Sequence, residues 1–273
     1  VTGKVPEIWD AKTGAIEKAA VYREENGCTI IPLQFEPEGS KFIVFRQPES
    51  VTHITALKCN DRSIFPLSAG KPDLFPPAKI SNDNDKLILE SFKAGKYSIS
   101  FTDGKTQNYT IKKDASESII KGQWDLHFTP GWGAPEKVKF DSLFSWTESA
   151  DPGIKYYSGT AEYFNEFVLS PEKIKNGKIY LDAGNIQEIG EVYINGKLAG
   201  SCWTPPYIVD ISSFVKKGRN KISIKTANLW PNRLIGDQNL PPEKRYTKTN
   251  VQKFKANDLL RISGMLGPVR VIV

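Results

Sequence analysis

The sequence predicts an all-β protein made of two β-sandwich domains. Three observations support this fold class. Short segments alternate apolar and polar residues, which is the period of a strand with one buried face. Turn-forming pairs such as Asn195-Gly196 and Asp103-Gly104 separate such segments. No long stretch has the 3.6-residue period of an amphipathic helix. Short strands spaced by about ten residues are typical of a sandwich.

The first predicted domain covers residues 1–115. Residues 31–35 alternate around Pro32 and predict an edge strand. Residues 41–46 are apolar on both faces, which predicts a central strand covered on both sides. Residues 66–84 are rich in Pro, Asn and Asp and predict a long irregular connection. Further strands are predicted at residues 51–57, 87–89, 97–101 and 109–111.

The second predicted domain covers residues 116–273, after the polar, aperiodic boundary at residues 112–118. Trp124, Leu126 and Phe128 share one face of a predicted strand. The longest alternating stretch is residues 156–169. Its apolar face is predicted to hold Tyr157, Ala161, Tyr163, Phe167 and Leu169. Strands at residues 177–182 and 267–273 are predicted to complete the fold.

The stretch from Leu181 to Asp237 organises the second domain. Val192 and Ile194 alternate with more polar neighbours and predict a strand. Asn195-Gly196 favours a two-residue type I′ hairpin, because both residues accept positive φ at low cost. Residues 197–200 form the predicted return strand, and residues 221–225 alternate in a further half-exposed strand. These patterns alone predict an antiparallel β-sandwich.

Several motifs of this stretch resemble the sugar-binding jelly roll of family 2 glycoside hydrolases. They are Val-Tyr-Ile-Asn-Gly-Lys at 192–197, Val-Asp-Ile-Ser at 209–212, and Lys-Gly-Arg-Asn-Lys-Ile-Ser-Ile at 217–224. A longer set of segments is similar to the C-terminal region of the α-L-rhamnosidase-like hydrolases of glycoside hydrolase family 106. These segments are 132–135, 145–147, 157–161, 228–233 and 264–269. Motifs at 9–14 and 39–46 fit the preceding sandwich, so the resemblance spans nearly the whole chain.

The resemblance implies that the second domain is a galactose-binding-like jelly roll. It also implies that the catalytic acids of the parent enzyme lie on a barrel N-terminal to this region. We therefore expect a non-catalytic, C-terminal part of a secreted or periplasmic bacterial glycoside hydrolase, either α-L-rhamnosidase-like or β-galactosidase-like. Its expected partners are carbohydrate and the catalytic domain of the same polypeptide. Because Val1 is not a start methionine, we expect a mature or truncated piece.

Five residues are candidates for carbohydrate binding. Sugars present apolar C–H faces and hydroxyl groups, so a binding site needs an aromatic platform with planar hydrogen-bonding partners. Such a mixture is offered by Trp230, Asn232, Arg233 and Asp237, with Trp203 in a second aromatic cluster. In the competing interpretation, Trp230 belongs to the core. Arg233 and Asp237 then form an ion pair that pins the long loop ending at Asn250.

No catalytic residue is predicted. A glycosidase needs two positioned carboxylates, and no sequence context marks a pair. The acidic residues near the aromatic segments are interpreted as turn and solvent-face residues: Asp141, Glu148, Asp151 and Glu162. Two alternatives to a non-catalytic sugar-binding chain stay open. In one, the chain is a glycosidase with an unrecognised carboxylate pair. In the other, it is a structural module without affinity for sugar.

No cofactor and no metal site are predicted. His53 and His127 are the only histidines, and neither has neighbours at ligand spacing. Binding of a structural calcium ion stays an alternative, although Asp182, Asp210 and Asp237 form no recognisable series of calcium ligands.

The composition also limits which classes of protein and partner are expected. No apolar run approaches the ~20 residues of a membrane helix, so no membrane span is predicted. The net charge is +6, but Lys and Arg are scattered in ones and twos, which indicates a solvated surface rather than a nucleic-acid interface. Cys28, Cys59 and Cys202 allow one disulfide in an exported protein, and the sequence leaves the pair open.

Overall fold

The computed structural model describes residues 1–11, 13–35, 37–48, 52–66, 78–83, 86–175, 177–251 and 253–273. These residues form antiparallel sheets with a few short helices, which confirms the all-β sandwich class. The chain divides into two compact units, Val1–Ser116 and Glu117–Val273. Within the described ranges, none of the helices has the length and apolarity that crossing a bilayer requires.

The first unit contains strands β1 to β11. Their bounds are β1 (Glu7–Asp10), β2 (Ile16–Lys18), β3 (Arg23–Glu25), β4 (Cys28–Ile30), β5 (Lys41–Val44), β6 (Ile54–Cys59), β7 (Arg62–Phe65), β8 (Ala78–Asp83), β9 (Lys86–Ser91), β10 (Gly95–Phe101) and β11 (Thr106–Ile111). One sheet has the order β2-β1-β5 and another β11-β10-β6-β7, while β3-β4 and β8-β9 pair as hairpins. The core packs around Ile54, Leu57, Phe65, Tyr97 and Ile99.

Three predictions for the first unit are corrected. Residues 31–35 form no strand. Pro32 has no backbone N–H, so this segment has one donor fewer for pairing with a neighbour. Strand β5 lies at the edge of its sheet and Phe42 is 62% exposed, so this strand is not covered on both sides. Of the predicted connection at 66–84, residues 78–83 instead form β8, which pairs with β9. Residues 67–77 and 84, like Val51 of the predicted strand 51–57, lie outside the described residues.

The second unit contains strands β12 to β23 and helices α1 to α3. The strands are β12 (Glu117–Ile119), β13 (Trp124–Phe128), β14 (Lys137–Phe140), β15 (Thr160–Leu169), β16 (Tyr180–Asp182), β17 (Ile186–Gln187), β18 (Ile189–Ile194), β19 (Lys197–Cys202), β20 (Ile208–Asp210), β21 (Gly218–Ala227), β22 (Gly264–Met265) and β23 (Arg270–Ile272). The helices are α1 (Pro152–Lys155), α2 (Pro171–Lys175) and α3 (Pro231–Asp237), with 3₁₀ turns at Trp146–Glu148 and Pro242–Lys244.

The second unit is built on a six-stranded and a four-stranded sheet. Their orders are β14-β13-β15-β21-β18-β19 and β12-β23-β16-β20, and β17 pairs with β22. Alternate residues of β13 are buried, as predicted for Trp124, Leu126 and Phe128. The apolar face predicted for residues 161–169 is also buried. Asn195 and Gly196 have φ values of 52° and 80°, which confirms a hairpin turn with positive φ at both central residues.

A buried polar contact joins three parts of this unit. The Nε1 of Trp146 donates to the hydroxyl oxygen of Tyr163 at 2.6 Å. The backbone N–H of Met265 donates to the same oxygen at 3.0 Å. Gly264, with a φ of 87°, lies against the Trp146 ring, where a Cβ would come within 2.6 Å of Nε1. One tyrosine hydroxyl on β15 thus satisfies two buried donors.

The cysteines are distributed over both units. Cys28 is exposed and Cys59 is buried, and both carry free thiols in the first unit. Cys202 is buried in the second unit at the end of β19.

Candidate functional site

Three of the five candidate residues lie on helix α3. Pro231 occupies the first turn, a position that tolerates proline because its missing N–H has no partner inside the helix. Trp230 immediately precedes the helix, and Asn232, Arg233 and Asp237 lie on it. Seven residues at 1.5 Å each make α3 about 10 Å long. Residues 238–262, which follow the helix, are named the α3 loop.

Asn232 is buried and holds the far end of the α3 loop. Its Nδ2 donates to the backbone oxygen of Arg261 at 2.7 Å, and its Oδ1 accepts from the Arg261 N–H at 2.8 Å. This two-way pairing resembles a rung of a β-ladder, with a side-chain amide in place of one strand. The amide is therefore occupied within the chain.

Arg233 and Asp237 form a buried ion pair across one helical turn. The Nε of Arg233 lies 3.5 Å from the Oδ1 of Asp237, and the two side chains are only 3% and 1% exposed. The Oδ2 of Asp237 accepts from the N–H of Thr247 at 2.8 Å and from its hydroxyl at 2.5 Å. The Arg233 guanidinium lies 4.7 Å from the centre of the Tyr246 ring. The pair thus holds the near part of the α3 loop.

Burial lowers the pKa of the Arg233 guanidinium, while the negative charge of Asp237 raises it. An arginine remains protonated in proteins even so, because its ordinary pKa is above about 12. The Nη1 of Arg233 also donates to the backbone oxygen of Trp132 at 3.4 Å. The buried cation thus faces groups inside the chain, the Asp237 carboxylate and the Tyr246 ring, as the packing interpretation of Arg233 and Asp237 expects.

The two tryptophan candidates remain accessible. Trp203 and Trp230 are each 50% exposed, so the interpretation of Trp230 as a core residue is wrong. The Trp230 ring meets the half-buried Trp132 ring edge-to-face, with centroids 5.3 Å apart and an interplanar angle of 66°. Trp132 thus supports one side of Trp230 and leaves the rest open to solvent.

Sheet register places these tryptophans beyond one end of the six-stranded sheet. Phe128 pairs with Ala161, Ala161 with Thr226, Thr226 with Gly190, and Gly190 with Cys202. This row crosses the sheet near the ends of β13, β21 and β19. Continuing from these strand ends, the chain reaches Trp132, Trp230 and Trp203, respectively.

Of the five candidate residues, only Trp203 and Trp230 are therefore accessible at the surface. Asn232, Arg233 and Asp237 are no more than 3% exposed, so a sugar bound at the surface of this structure cannot reach them. Sequence reasoning missed their partners Thr247 and Arg261, because no periodic pattern links residues so far apart.

The carboxylates considered for calcium have separate partners. Asp182 accepts from the Nη1 of Arg270 at 3.0 Å, and Asp210 accepts from the Nζ of Lys178 at 2.6 Å. Asp237 belongs to the Arg233 pair. In the part of the chain that the structure describes, no group of three or more His, Cys, Asp or Glu residues could hold a metal ion.

Two of the acidic residues interpreted as turn residues, Asp151 and Asp141, accept hydrogen bonds within the second unit. Asp151 accepts from the N–H of Gly153 at 2.7 Å and caps α1. Asp141 accepts from the Nε2 of Gln123 at 2.6 Å.

Comparison with known proteins gives the chain a family. The model of the family "Glycosyl hydrolases family 2, sugar binding domain" matches residues 105–272, more than half of the chain. The chain belongs to this family. The narrower resemblance to glycoside hydrolase family 106 stays a prediction.

Similar proteins are glycosidases by name. The chain is 35% identical over 232 residues to the "Putative beta-glucuronidase" of Formosa agariphila, covering 76% of this chain and 20% of that protein. The rhamnosidase of Novosphingobium sp. PP1Y has a similar structure, with a TM-score of 0.66 and 29% identity, covering 100% of this chain and 21% of that one. A Ruminococcus gnavus β-glucuronidase is 26% identical with a TM-score of 0.44, covering 60% of this chain and 29% of that one. The chain thus spans about a fifth of the length of the first two relatives.

Proposed function

We propose that this chain is a non-catalytic, carbohydrate-binding part of a larger bacterial glycoside hydrolase that is α-L-rhamnosidase-like. The proposal includes a secreted or periplasmic location, where polysaccharide is accessible. Support comes from membership of a sugar-binding family and from a rhamnosidase whose structure is similar over the whole chain. Since the chain corresponds to about a fifth of that rhamnosidase, cleavage would be performed by another part of the polypeptide.

One observation carries the binding proposal: the half-exposed ring of Trp230, held in place next to Trp132. An aromatic ring offers an apolar surface to the C–H face of a sugar, and a ring that is already positioned loses little entropy on binding. Asn232, Arg233 and Asp237 serve the site indirectly. Their internal bonds fix α3 and therefore the position of Trp230 at its start.

A second function is favoured by exposed apolar side chains. They are concentrated between residues 229 and 262: Leu229, Trp230, Tyr246, Val251, Leu259 and Ile262 are each at least 41% exposed. Clustered apolar surface on a protein marks an interaction site. In this alternative, the surface braces the catalytic domain of the same polypeptide and has no affinity for sugar.

Calorimetric titration with L-rhamnose, galactose and rhamnose-bearing pectin oligosaccharides tests the binding proposal. We expect saturable binding that Trp230→Ala weakens roughly tenfold or more, the equivalent of about 1.4 kcal/mol. Val168→Ala is the matched control, because Val168 is 71% exposed on β15 and lies away from the tryptophans. That control should bind like the parent chain.

The remaining outcomes separate the two functions. Binding that is lost in Trp203→Ala and kept in Trp230→Ala would move the site to the end of β19. No binding of any sugar at millimolar concentration, with the fold intact by circular dichroism, would contradict the binding proposal and leave the bracing role.

A further inference from the structure

The α3 loop concentrates positive charge. Residues 238–262 contain six Lys and Arg against two Asp and Glu, so this segment carries +4 of the net charge of +6. The cations are Lys244, Arg245, Lys248, Lys253, Lys255 and Arg261. All are exposed except Arg245, which is half-buried.

These cations have no carboxylate partner among the described residues. Elsewhere in the chain, ion pairs neutralise many cations, such as Lys178 with Asp210 at 2.6 Å and Arg219 with Glu166 at 2.7 Å. No ion pair within 4.0 Å involves any of the six cations of the α3 loop in the part of the chain that the structure describes. Their charge is therefore available to a ligand.

Buried contacts gather these cations around one short helix. Thr247 is bonded to Asp237, and Tyr246 lies under the guanidinium of Arg233. These contacts fix the chain next to Lys244, Arg245 and Lys248. Arg261, at the far end of the loop, is bonded through its backbone to Asn232. Because α3 is only about 10 Å long, both ends of the loop lie on the same small region.

The middle of the loop also contacts α3. A cleft of about 190 Å³ lies between the helix and the loop. Its lining residues are Leu234, Gln238, Thr249, Val251, Lys253 and Phe254. The Lys253 ammonium lies 5.8 Å from the centre of the Phe254 ring. Lys253 and Phe254 thus place a cation and an aromatic ring together at the cleft beside α3.

We infer that the α3 loop recognises an acidic polysaccharide, one that carries carboxylate or sulfate groups. This inference rests on the proposed carbohydrate-binding function and specifies its ligand class. A single exposed charge pair contributes little. A polyanion that meets several unpaired cations gains from each of them and from the release of its condensed counterions. A sugar polymer is favoured over a nucleic acid because the chain belongs to a sugar-binding family.

Binding of the whole chain to defined polymers tests the inference. The probes are polygalacturonate for carboxylate, dextran sulfate for sulfate, dextran as the neutral polymer and a single-stranded DNA oligonucleotide. We expect both acidic polysaccharides to bind more tightly than dextran. Their affinity should fall about tenfold or more between 50 and 200 mM salt, the behaviour of a contact with several charges.

A pair of charge-matched variants locates the surface. The loop variant carries Lys244→Gln, Lys248→Gln, Lys253→Gln and Lys255→Gln. The control carries the same change at four exposed lysines of the first unit: Lys58, Lys79, Lys96 and Lys112. The two variants lose the same amount of charge, so a difference between them reports on the position of the charge. We expect the loop variant to lose affinity for acidic polysaccharide tenfold or more. The control should lose affinity only slightly.

The outcomes distinguish this inference from the proposed function. Equal, salt-independent affinity for dextran and the acidic polymers would overturn the inference and keep carbohydrate binding. DNA binding as tight as polysaccharide binding would overturn recognition of a saccharide by this loop. No binding of any polymer, together with no binding of the rhamnose- and galactose-containing sugars, would overturn both. Preference for polygalacturonate or for dextran sulfate would support the inference and identify the acidic group.

Discussion

Replacing Asp237 with alanine is expected to lower the free energy of unfolding of the second unit by roughly 3–5 kcal/mol. The substitution leaves the Arg233 guanidinium buried without its carboxylate, 3% exposed in the parent structure. It also removes the acceptor of two donors from Thr247. Losing one partner of a buried pair costs more than the pair contributes, because the remaining charge keeps its desolvation penalty.

Urea denaturation followed by tryptophan fluorescence measures this loss. Five of the six tryptophans, all except Trp9, lie in the second unit, so the signal reports mainly on it. Asp125→Ala is the control, because its carboxylate is 54% exposed and lies 3.7 Å from Lys139. That variant should change stability by no more than about 0.5 kcal/mol.

A double variant separates the charge effect from packing. Arg233→Met together with Asp237→Ala removes both charges and keeps an unbranched side chain in the space of the arginine. Replacing a whole buried pair by apolar groups is often close to neutral. We therefore expect the double variant to be more stable than Asp237→Ala alone. Equal stability of Asp237→Ala and Asp125→Ala would contradict the role given to the pair.

The sequence predicted the strands of the second unit well because their pattern is local. Alternation in β13 and β15 and the Asn195-Gly196 turn each depend on a few consecutive residues. The same logic failed at β5. A run of apolar residues without alternation does not indicate which face is buried, and Phe42 proved to be exposed.

The candidate site was harder to predict because its structure depends on distant residues. Helix α3 has seven residues, too few for a helical period to be recognised, although Pro231 at its start is a helix signal. The burial of Asn232 and Asp237 depends on Arg261 and Thr247, which follow 29 and 10 residues later. The residue types of Asn232, Arg233 and Asp237 suggested partners for a sugar, whereas in the structure these side chains are buried and contact other parts of the chain.

The Tyr163→Phe substitution is expected to destabilise the second unit by roughly 2–6 kcal/mol. Its hydroxyl accepts from both Trp146 Nε1 and the Met265 N–H, and each donor left unsatisfied in the core costs about 1–3 kcal/mol. Tyr193→Phe is the control, since that hydroxyl donates to the accessible carboxylate of Glu191 at 2.8 Å. The same urea titration should show a much smaller loss for the control.

Alkaline pH provides an independent readout of the same hydroxyl. Burial raises the pKa of Tyr163 above the value of about 10 that tyrosine has in an unfolded chain. Its neutral form therefore stabilises the fold fully below about pH 10, and this contribution is lost as the pH rises through that value and beyond, because the unfolded state ionises first. Above pH 10 the parent chain should lose up to about 1.4 kcal/mol per pH unit more than Tyr163→Phe. Parallel stability profiles for the two proteins would mean that this hydroxyl is accessible to water and that its two donors do not depend on it.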